Sequence, residues 1–378
     1  MAMVTIRAVG EGASIGDWIS VPPLVHRDDP HFVRELDLKE RMRLSRWFNP
    51  FFRFGEACLF VAYRNGRPVG RLSAQINHLH RQRHDPHSGH FGFFASIDDA
   101  DVALTLFEAA RRWLKARDAT SITGPFSFTI NEEAGLLIDG FDEPAAMLMN
   151  QARPYSRALI EASGLTGIQD TLAFRLRGIP ELPTLNKLAA AAERSGAIRL
   201  RPVRLERFDE EIRLVIDIFN SAWSANWEFV PFSESEIQSL ARELKPFYAA
   251  EYGRFVEVDG EAVGVLLAVP DINSVIRGFD GKLLPFNWWR LLSQLRSRQV
   301  KAFRIPLMGI RPKYQRSPIA AAMIAMLVRE FLSEARRQTF DWAEFSWILE
   351  TNRPMVQIAQ MIAGAAAKRY RFFRGPID

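Results

Sequence analysis

Two stretches of this chain alternate apolar and polar residues about a tight turn in the same way. Residues 59–72, Leu-Phe-Val-Ala-Tyr-Arg-Asn-Gly-Arg-Pro-Val-Gly-Arg-Leu, and residues 254–266, Arg-Phe-Val-Glu-Val-Asp-Gly-Glu-Ala-Val-Gly-Val-Leu, each run an apolar strand into Asn-Gly or Asp-Gly and return through Val-Gly. Asn-Gly and Asp-Gly accept the positive φ angles of a two-residue turn, so each stretch predicts a β-hairpin. The residues downstream of the two hairpins repeat a pattern as well. In the first half Val102, Leu106, Ala109, Ala110 and Trp113 fall at helical spacing over 100–117, and Ser121-Ile-Thr-Gly124 reads as a short strand. In the second half the apolar run Phe303–Ile310 precedes a helix over 318–337, and Ala343–Leu349 reads as a strand. A further helix closes each half, near 154–163 and 354–366. Hairpin, strand, helix, strand, helix, written twice, predicts an α/β chain of two similar domains. Each domain would be a mixed, mostly antiparallel sheet flanked by helices. The punctuated piece Gly178-Ile-Pro-Glu-Leu-Pro183, a short Ala-rich helix and Ser195-Gly196 divide the chain into domains at 1–178 and 196–378.

Composition fits this reading and narrows the partners. With 378 residues, 48% of them apolar, the chain is long enough for two cores. No apolar run approaches the roughly 18 residues of a membrane span, and the start Met-Ala-Met-Val-Thr-Ile-Arg lacks the regions of a signal peptide. The expected location is the cytoplasm. The only cysteine, Cys58, excludes an intrachain disulfide framework and a multi-cysteine zinc site, and its apolar flanks make it a buried strand residue. A net charge of +5 and a pI near 9.5 favour an anionic partner, but the chain has no long basic tract or RNA-binding aromatic signature, so nucleic acid is not expected.

The turn at 310–323, Ile-Arg-Pro-Lys-Tyr-Gln-Arg-Ser-Pro-Ile-Ala-Ala-Ala-Met, is the strongest candidate for holding an anion. A strand-to-helix turn presents N–H groups with no partner inside the helix and the positive end of its dipole, here beside Gln315 and Arg316. The segment resembles the acyl-CoA-binding motif of the GCN5-related N-acetyltransferases (GNAT), Gln/Arg-x-x-Gly-x-Gly/Ala at a helix start, with Gln315, Arg316 and Ala320 in place. Pro318 replaces the first Gly, which keeps the helix start and removes one N–H donor. The resemblance implies that Ile310, Arg311, Gln315, Arg316, Ser317, Ile319 and Ala320 hold acyl-CoA as co-substrate. It also implies that Asn352, between a strand and a helix, helps hold the CoA arm. The counterpart in the first half, Ser96-Ile-Asp-Asp-Ala-Asp101, carries three acids that would repel a pyrophosphate, so the first domain reads as a degenerate GNAT-like scaffold. The order of elements resembles a tandem of GNAT domains over nearly the whole chain, and Lys368–Phe373 resembles the last strand of such proteins. Within that group Gly124-Pro125, Asn131-Glu132-Glu133 and Asn220-x-x-Trp223-x-x-Asn226-Trp227 are similar to bacterial ceramide synthases, which transfer a long acyl chain to the amine of a sphingoid base.

Transfer of an acyl group to an amine needs an oxyanion donor and a base. The resemblance places the donor in the strand before the cradle, at the N–H of Gly309 or Ile310, and Pro306 marks either a parting of strands or a bulge. Glu350 and Glu344 are the first base candidates, Asp280 and Asp271 the next. The family's Tyr acid is replaced by Ala359 and Gln360, leaving Tyr314, Tyr370 or water. Asn220, Trp223, Asn226 and Trp227 combine polar and aromatic character suited to an acceptor pocket, although core packing explains the aromatics equally well. The aromatic and basic stretches Arg41–Phe54 and Asn287–Arg298 suit an anionic membrane surface, the mouth of an acyl tunnel, or a wall between domains. Membrane contact would put the chain at the cytoplasmic face of the inner membrane. Five histidines lie between His78 and His90; their spacing permits metal ligation, but Arg81, Arg83 and Pro86 make this a charged loop, and no metal is expected. The expected activity is therefore acyl-CoA-dependent N-acylation, with a sphingoid base as the acceptor. The alternatives are short-chain acylation of a small polar amine and a non-catalytic acyl-CoA- or lipid-binding protein on a transferase scaffold.

Overall fold

Both hairpins form, and both turn at the anticipated dipeptide. Asn65-Gly66 and Asp259-Gly260 all take positive φ, 52° and 73° in the first turn and 52° and 80° in the second. The computed structural model describes residues 3–245 and 248–377. Its strands, in chain order, are β1 (Thr5–Val9), β2 (Gly12–Ala13), β3 (Gly55–Arg64), β4 (Arg67–Asn77), β5 (Ser88–Ser96), β6 (Ser121–Gly124), β7 (Leu136–Asp139), β8 (Thr166–Leu176), β9 (Ile198–Pro202), β10 (Gly253–Val258), β11 (Glu261–Pro270), β12 (Ala302–Ile310), β13 (Trp342–Leu349) and β14 (Lys368–Pro376). They make one sheet in the order β2-β1-β3-β4-β5-β6-β14-β8-β13-β12-β11-β10-β9, with β7 pairing β14.

The repeat extends to irregularities of register. In each hairpin the pairing shifts by a residue beside the Val-Gly of the return strand, after Ala62↔Gly70 in one and Val256↔Gly264 in the other. In each half the next strand carries an extra residue against the hairpin, β5 between Gly92 and Ala95 and β12 between Arg304 and Leu307. A bulge bends its strand and ends regular pairing. On the N-terminal side of the bulge each half has a parallel pair across a helical crossover: β5 with β6, and β12 with β13. The crossover helices, Ala100–Lys115 and Ala320–Gln338, bury Val102, Leu106 and Leu114 in one core and Met323, Leu327 and Leu332 in the other.

The halves exchange their closing strands. β8, from the first half of the chain, pairs with β13, and β14, from the second, pairs with β6 and β8. Across this seam runs a buried row of charge. Arg175 on β8 bonds Glu344 on β13 through Nε (3.2 Å) and Nη2, and Glu143 at 2.7 Å. Arg304 on β12 bonds Ser346 Oγ and the Met147 carbonyl, both at 3.1 Å, and Lys368 bonds the Glu143 carbonyl at 2.7 Å.

Two expectations need correction. The cradle helix begins at Ala320, not 318, after a separate turn Pro312–Gln315. A residue before proline is disfavoured in the α region, and the interruption falls at Ser317-Pro318. The histidine stretch is not a loop. His78–Arg83 is a helix capped by the Asn77 side chain, and Ser88 to His90 already belong to β5, so His80 and His90 are buried. Cys58 lies half-buried on β3, where burial pushes its thiol up to about 11.

Candidate functional site

The parallel pairing of β12 with β13 runs from Ala302↔Trp342 to Ile305↔Phe345 and stops there, where Pro306 has no N–H to offer. Both strands are bulged at that point, β12 at Ile305-Pro306 and β13 at Ser346-Trp347. The strands part, and the cleft between them is lined by Pro306, Met308, Ser346, Trp347, Leu349 and Asn352, with Trp223 and Asn226 closing one side. Of the residues singled out in the sequence, Trp223, Asn226 and Asn352 are thus brought together.

The ladder between β11 and β12 decides which backbone donors face this cleft. Arg311 N–H donates to the Val263 carbonyl at 2.7 Å, and the register continues as Ile310↔Gly264 and Gly309↔Val265. Bonded pairs alternate in an antiparallel ladder, so Gly309 also spends its N–H on β11, whereas Ile310 and Met308 turn theirs to the parted edge. Gly309 has another role: a Cβ there would stand 2.4 Å from the Trp223 ring, which packs directly on its backbone.

Helix Ala320–Gln338 starts after Ile319 with no side-chain cap; the Ala320 N–H donates to the Ser317 carbonyl (3.1 Å), which leaves the N–H groups of Ala321 and Ala322 without intrahelical partners. Gln315 Nε2 donates to the Ile310 carbonyl (3.0 Å) and Ser317 Oγ to the Tyr314 carbonyl (2.6 Å), which hold the turn in shape. Arg316 is exposed, while Arg311 turns away to Asp217 (2.6 Å). The equivalent helix start in the first half is closed: Asp99 accepts from Val102 N–H and is paired with Arg64.

The proposed carboxylates are dispersed. Glu344 is 0% exposed and held by Arg175, short of the cleft. Asp271 caps Ile272–Ile276 and accepts from Met147 N–H at 2.6 Å; burial pushes it up to about 6. Asp280 pairs with Arg34 at the surface. Glu350 follows Leu349 at the end of β13 and pairs with Arg369 at 3.0 Å. Tyr370 is fully buried in the charged row rather than in the cleft, and burial raises its hydroxyl well above the ordinary value. Asn352 caps helix Arg353–Ala363 through Met355 N–H.

The segment Asn220–Pro231 does more than line one wall. Asn220 Oδ1 closes it by accepting from Phe232 N–H (3.2 Å), and Trp227 leaves the cleft to pack on Phe126 and Phe372. First-half residues, with Arg374 of β14, hold its far end. Arg83 donates to the Ser224 carbonyl (3.1 Å), His84 to the Phe229 carbonyl (2.8 Å) and Asn131 to the Val230 carbonyl (3.1 Å), while His80 and Arg374 both bond Glu228. Sequence reasoning missed this clasp. Its one local signal was His90 inside the apolar run Gly89-His-Phe-Gly-Phe-Phe94.

No protein-family model matches the chain. The bacterial ceramide synthase of Caulobacter vibrioides (strain NA1000 / CB15N) is 36% identical over 373 residues, 98% of this chain and 97% of that protein. Protein YghO of Escherichia coli (strain K12) is 36% identical over 362 residues, 95% and 92% of the two chains. Among solved structures, a tandem GNAT protein from the clavulanic acid biosynthesis pathway superposes with a TM-score of 0.55 at 12% identity over 100% of this chain and 99% of its own. A GCN5-related N-acetyltransferase from Sphaerobacter thermophilus gives 0.54 at 13% identity over 99% and 96%. At those identities the structures establish the tandem GNAT fold, and the near full-length sequence identity establishes the family. This chain belongs to the family of the Caulobacter vibrioides bacterial ceramide synthase, N-acyltransferases built on two tandem GNAT units.

Proposed function

We propose that the chain transfers a long acyl group from acyl-CoA to the amine of a sphingoid base, with the cleft between β12 and β13 as its site. The observation that carries this reading is the coincidence of the parted strands, the uncapped helix start at Ala320 and the inward-facing N–H of Ile310. The CoA pyrophosphate lies on the N–H groups around Ala320 beside Arg316, its charge matched by the helix dipole. The pantetheine arm occupies the place of the missing parallel pairing, with Asn352 beside it. The amine attacks the thioester carbon, the oxyanion is held by Ile310 N–H, and collapse breaks the C–S bond and releases the CoA thiolate, which takes up a proton. Glu344 and Glu350 both adjoin residues that line the cleft, Phe345 and Leu349, but Glu344 is fully buried against Arg175, so Glu350 is retained as the base that receives the amine's proton. The pyrophosphate site belongs to the second half alone, because Asp99 and Arg64 occupy the first half's helix start.

The acceptor and chain assignments draw support from the relative's activity as its name gives it, and from the buried aromatic cluster behind the cleft. Trp347 lines the cleft and packs on Phe372 (6.5 Å), which meets Trp227 (4.8 Å), which meets Phe126 (6.3 Å). These packed rings make the Trp347 wall of the cleft apolar, as contact with an alkyl chain requires. Delivery from a membrane is consistent with the exposed Trp47 (95%), Phe48 (64%), Phe286 (75%) and Trp289 (61%), set among exposed Arg41, Arg46, Arg53 and Arg290. The two patches are joined by Asp37 N–H to the Gly281 carbonyl (2.8 Å) and by Arg34 to Asp280. No helix among the described residues is long and apolar enough to cross a membrane.

The test is thiol release from acyl-CoAs of graded chain length, with long-chain amino alcohols and with small polar amines, and mass analysis of the product. Release that needs both a long acyl-CoA and a sphingoid base supports the assignment. Turnover confined to short acyl groups removes the acceptor and chain assignments, and tight CoA binding without turnover on any amine removes the catalytic reading.

A further inference from the structure

The parting of β5 from β6 in the first half encloses a second site, away from the acyl cleft. The pairing Ser88↔Ser121 to His90↔Thr123 ends there, and the space is lined by Asn77, His80, His90, Phe126, Thr129 and Glu228. One ring nitrogen of His80, one of His90 and one carboxylate oxygen of Glu228 lie within 4.8 Å of one another. Their side chains are nearly or fully removed from solvent: His80 and Glu228 are 6% and 9% exposed, and His90 as a residue 3%.

Hydrogen bonds around the site fix where the lone pairs point. Ser88 Oγ donates its proton to the Asp85 carbonyl at 2.8 Å, so toward His80 Nδ1, 3.0 Å away, it can only accept. Nδ1 therefore carries the hydrogen, and in the neutral ring Nε2 presents a lone pair, aimed at Glu228 Oε2. The other carboxylate oxygen, Oε1, is bonded by Arg374 Nη2 at 2.8 Å. His90 has no hydrogen-bond partner among the described residues for either ring nitrogen, and its ring stands edge-on to that of His80 with centroids 4.4 Å apart. A proton on His80 Nε2 would satisfy Glu228 but leave His90 without a partner, whereas a metal cation takes an electron pair from all three groups together. His84 is not part of the set, because its Nε2 donates to the Phe229 carbonyl.

We propose that His80 Nε2, His90 and Glu228 Oε2 bind one divalent transition metal, with zinc the best match to two imidazoles and a carboxylate. Ser88 on His80 and Arg374 on Glu228 are the outer partners that orient the ligands. A fourth position faces the enclosed space. The ion's place in the molecule gives it a role the transfer chemistry does not require. Glu228 belongs to the segment that carries Trp223, Asn226 and Trp227, so the metal fastens that wall of the acyl cleft to the first half of the chain. The metal site stands whether or not the acceptor is a sphingoid base.

The test uses the full chain without an affinity tag, stripped with chelator, then loaded with Zn²⁺ or Co²⁺ and desalted. One equivalent of zinc per chain by elemental analysis, visible d–d bands from cobalt and a zinc-dependent rise in Tm are expected. His90→Ala and Glu228→Gln should lose all three, His78→Ala and His87→Ala, at exposed histidines, none, and Ser88→Ala should weaken binding roughly 10–100-fold. Retention of no metal overturns the proposal, as does retention unaffected by His90→Ala. Should those variants fail to fold, X-ray absorption of the zinc-loaded wild type decides: two imidazoles and a carboxylate support the site, and any other shell overturns it.

Discussion

Replacing Gly309 by alanine probes the wall of the acyl cleft with a single methyl group. The added Cβ would stand 2.4 Å from Trp223 Cη2 and 2.8 Å from Cζ3, against an ordinary carbon contact of about 3.5–4.0 Å. The ring has to retreat by more than about 1 Å, and it is stacked on Phe219 at 5.0 Å behind. Overpacking of this kind costs about 1–3 kcal/mol of stability. The functional loss should be larger, because Trp223 and the neighbouring Asn226, whose N–H donates to the Trp223 carbonyl at 2.8 Å, move together. A displacement of about 1 Å at a positioning group costs on the order of 100-fold in rate. Calorimetry and kcat/KM from thiol release measure the two effects. The double variant Gly309→Ala/Trp223→Ala should recover most of the stability lost in Gly309→Ala, since the clash is then gone; their coupling is read from the cycle. If Gly309→Ala has wild-type kcat/KM and Tm, Trp223 does not form a rigid wall of the site and the reasoning fails.

Glu350→Gln should lower kcat about 10²–10⁴-fold and remove the acidic limb of the pH–rate profile if this carboxylate is the base, while an unchanged profile returns the role to water. Glu344→Gln and Arg175→Met should each cost about 3–5 kcal/mol in chemical denaturation because one charge is left buried, and the pair replaced together should cost far less. Asp271 in the folded chain stays protonated up to about 6, above its value of 3.8 when unfolded. Native protein then binds more protons between those values, so this group's contribution to stability falls as pH rises from about 4 to 6. The difference in stability between wild type and Asp271→Asn should shift in the variant's favour over that range, and a flat difference would refute the burial cause. Trp288→Ser with Trp289→Ser should reduce sedimentation with anionic vesicles while leaving turnover on detergent-dispersed substrate intact. Unaltered sedimentation would count against the membrane surface.

The hairpins, the crossover helices and the repeat were legible because each is written locally, in Asn-Gly or Asp-Gly turns and in the spacing of apolar residues. The parting of β12 from β13 was legible in part: Pro306 pointed to a parting or a bulge without deciding between them, and the structure has both at that position. The exchange of β8 and β14 was not legible: which strand neighbours Trp342–Leu349 depends on pairing between residues about 170 positions apart in sequence, such as Glu344↔Arg175. Glu344 was read as a base because its partner could not be seen, although the alternation in Ala-Glu-Phe-Ser places it on one face of its strand with Ser346. The histidines misled in the opposite direction. A string rich in His and Arg reads as solvated, yet Asn77 caps a helix there and places His80 opposite His90, with Glu228 arriving from the other half of the chain.

The central claim is that acyl-CoA binds at the second half's helix start and not at the first's. Amide hydrogen exchange in the presence of a non-hydrolysable long-chain acyl-CoA tests it most directly. Protection is expected at the amides of Ala321 and Ala322 and at those of Met308 and Ile310, with no change at Asp99 to Ala103. Protection at Asp99 to Ala103, with Ala321 and Ala322 unaffected, would contradict the account.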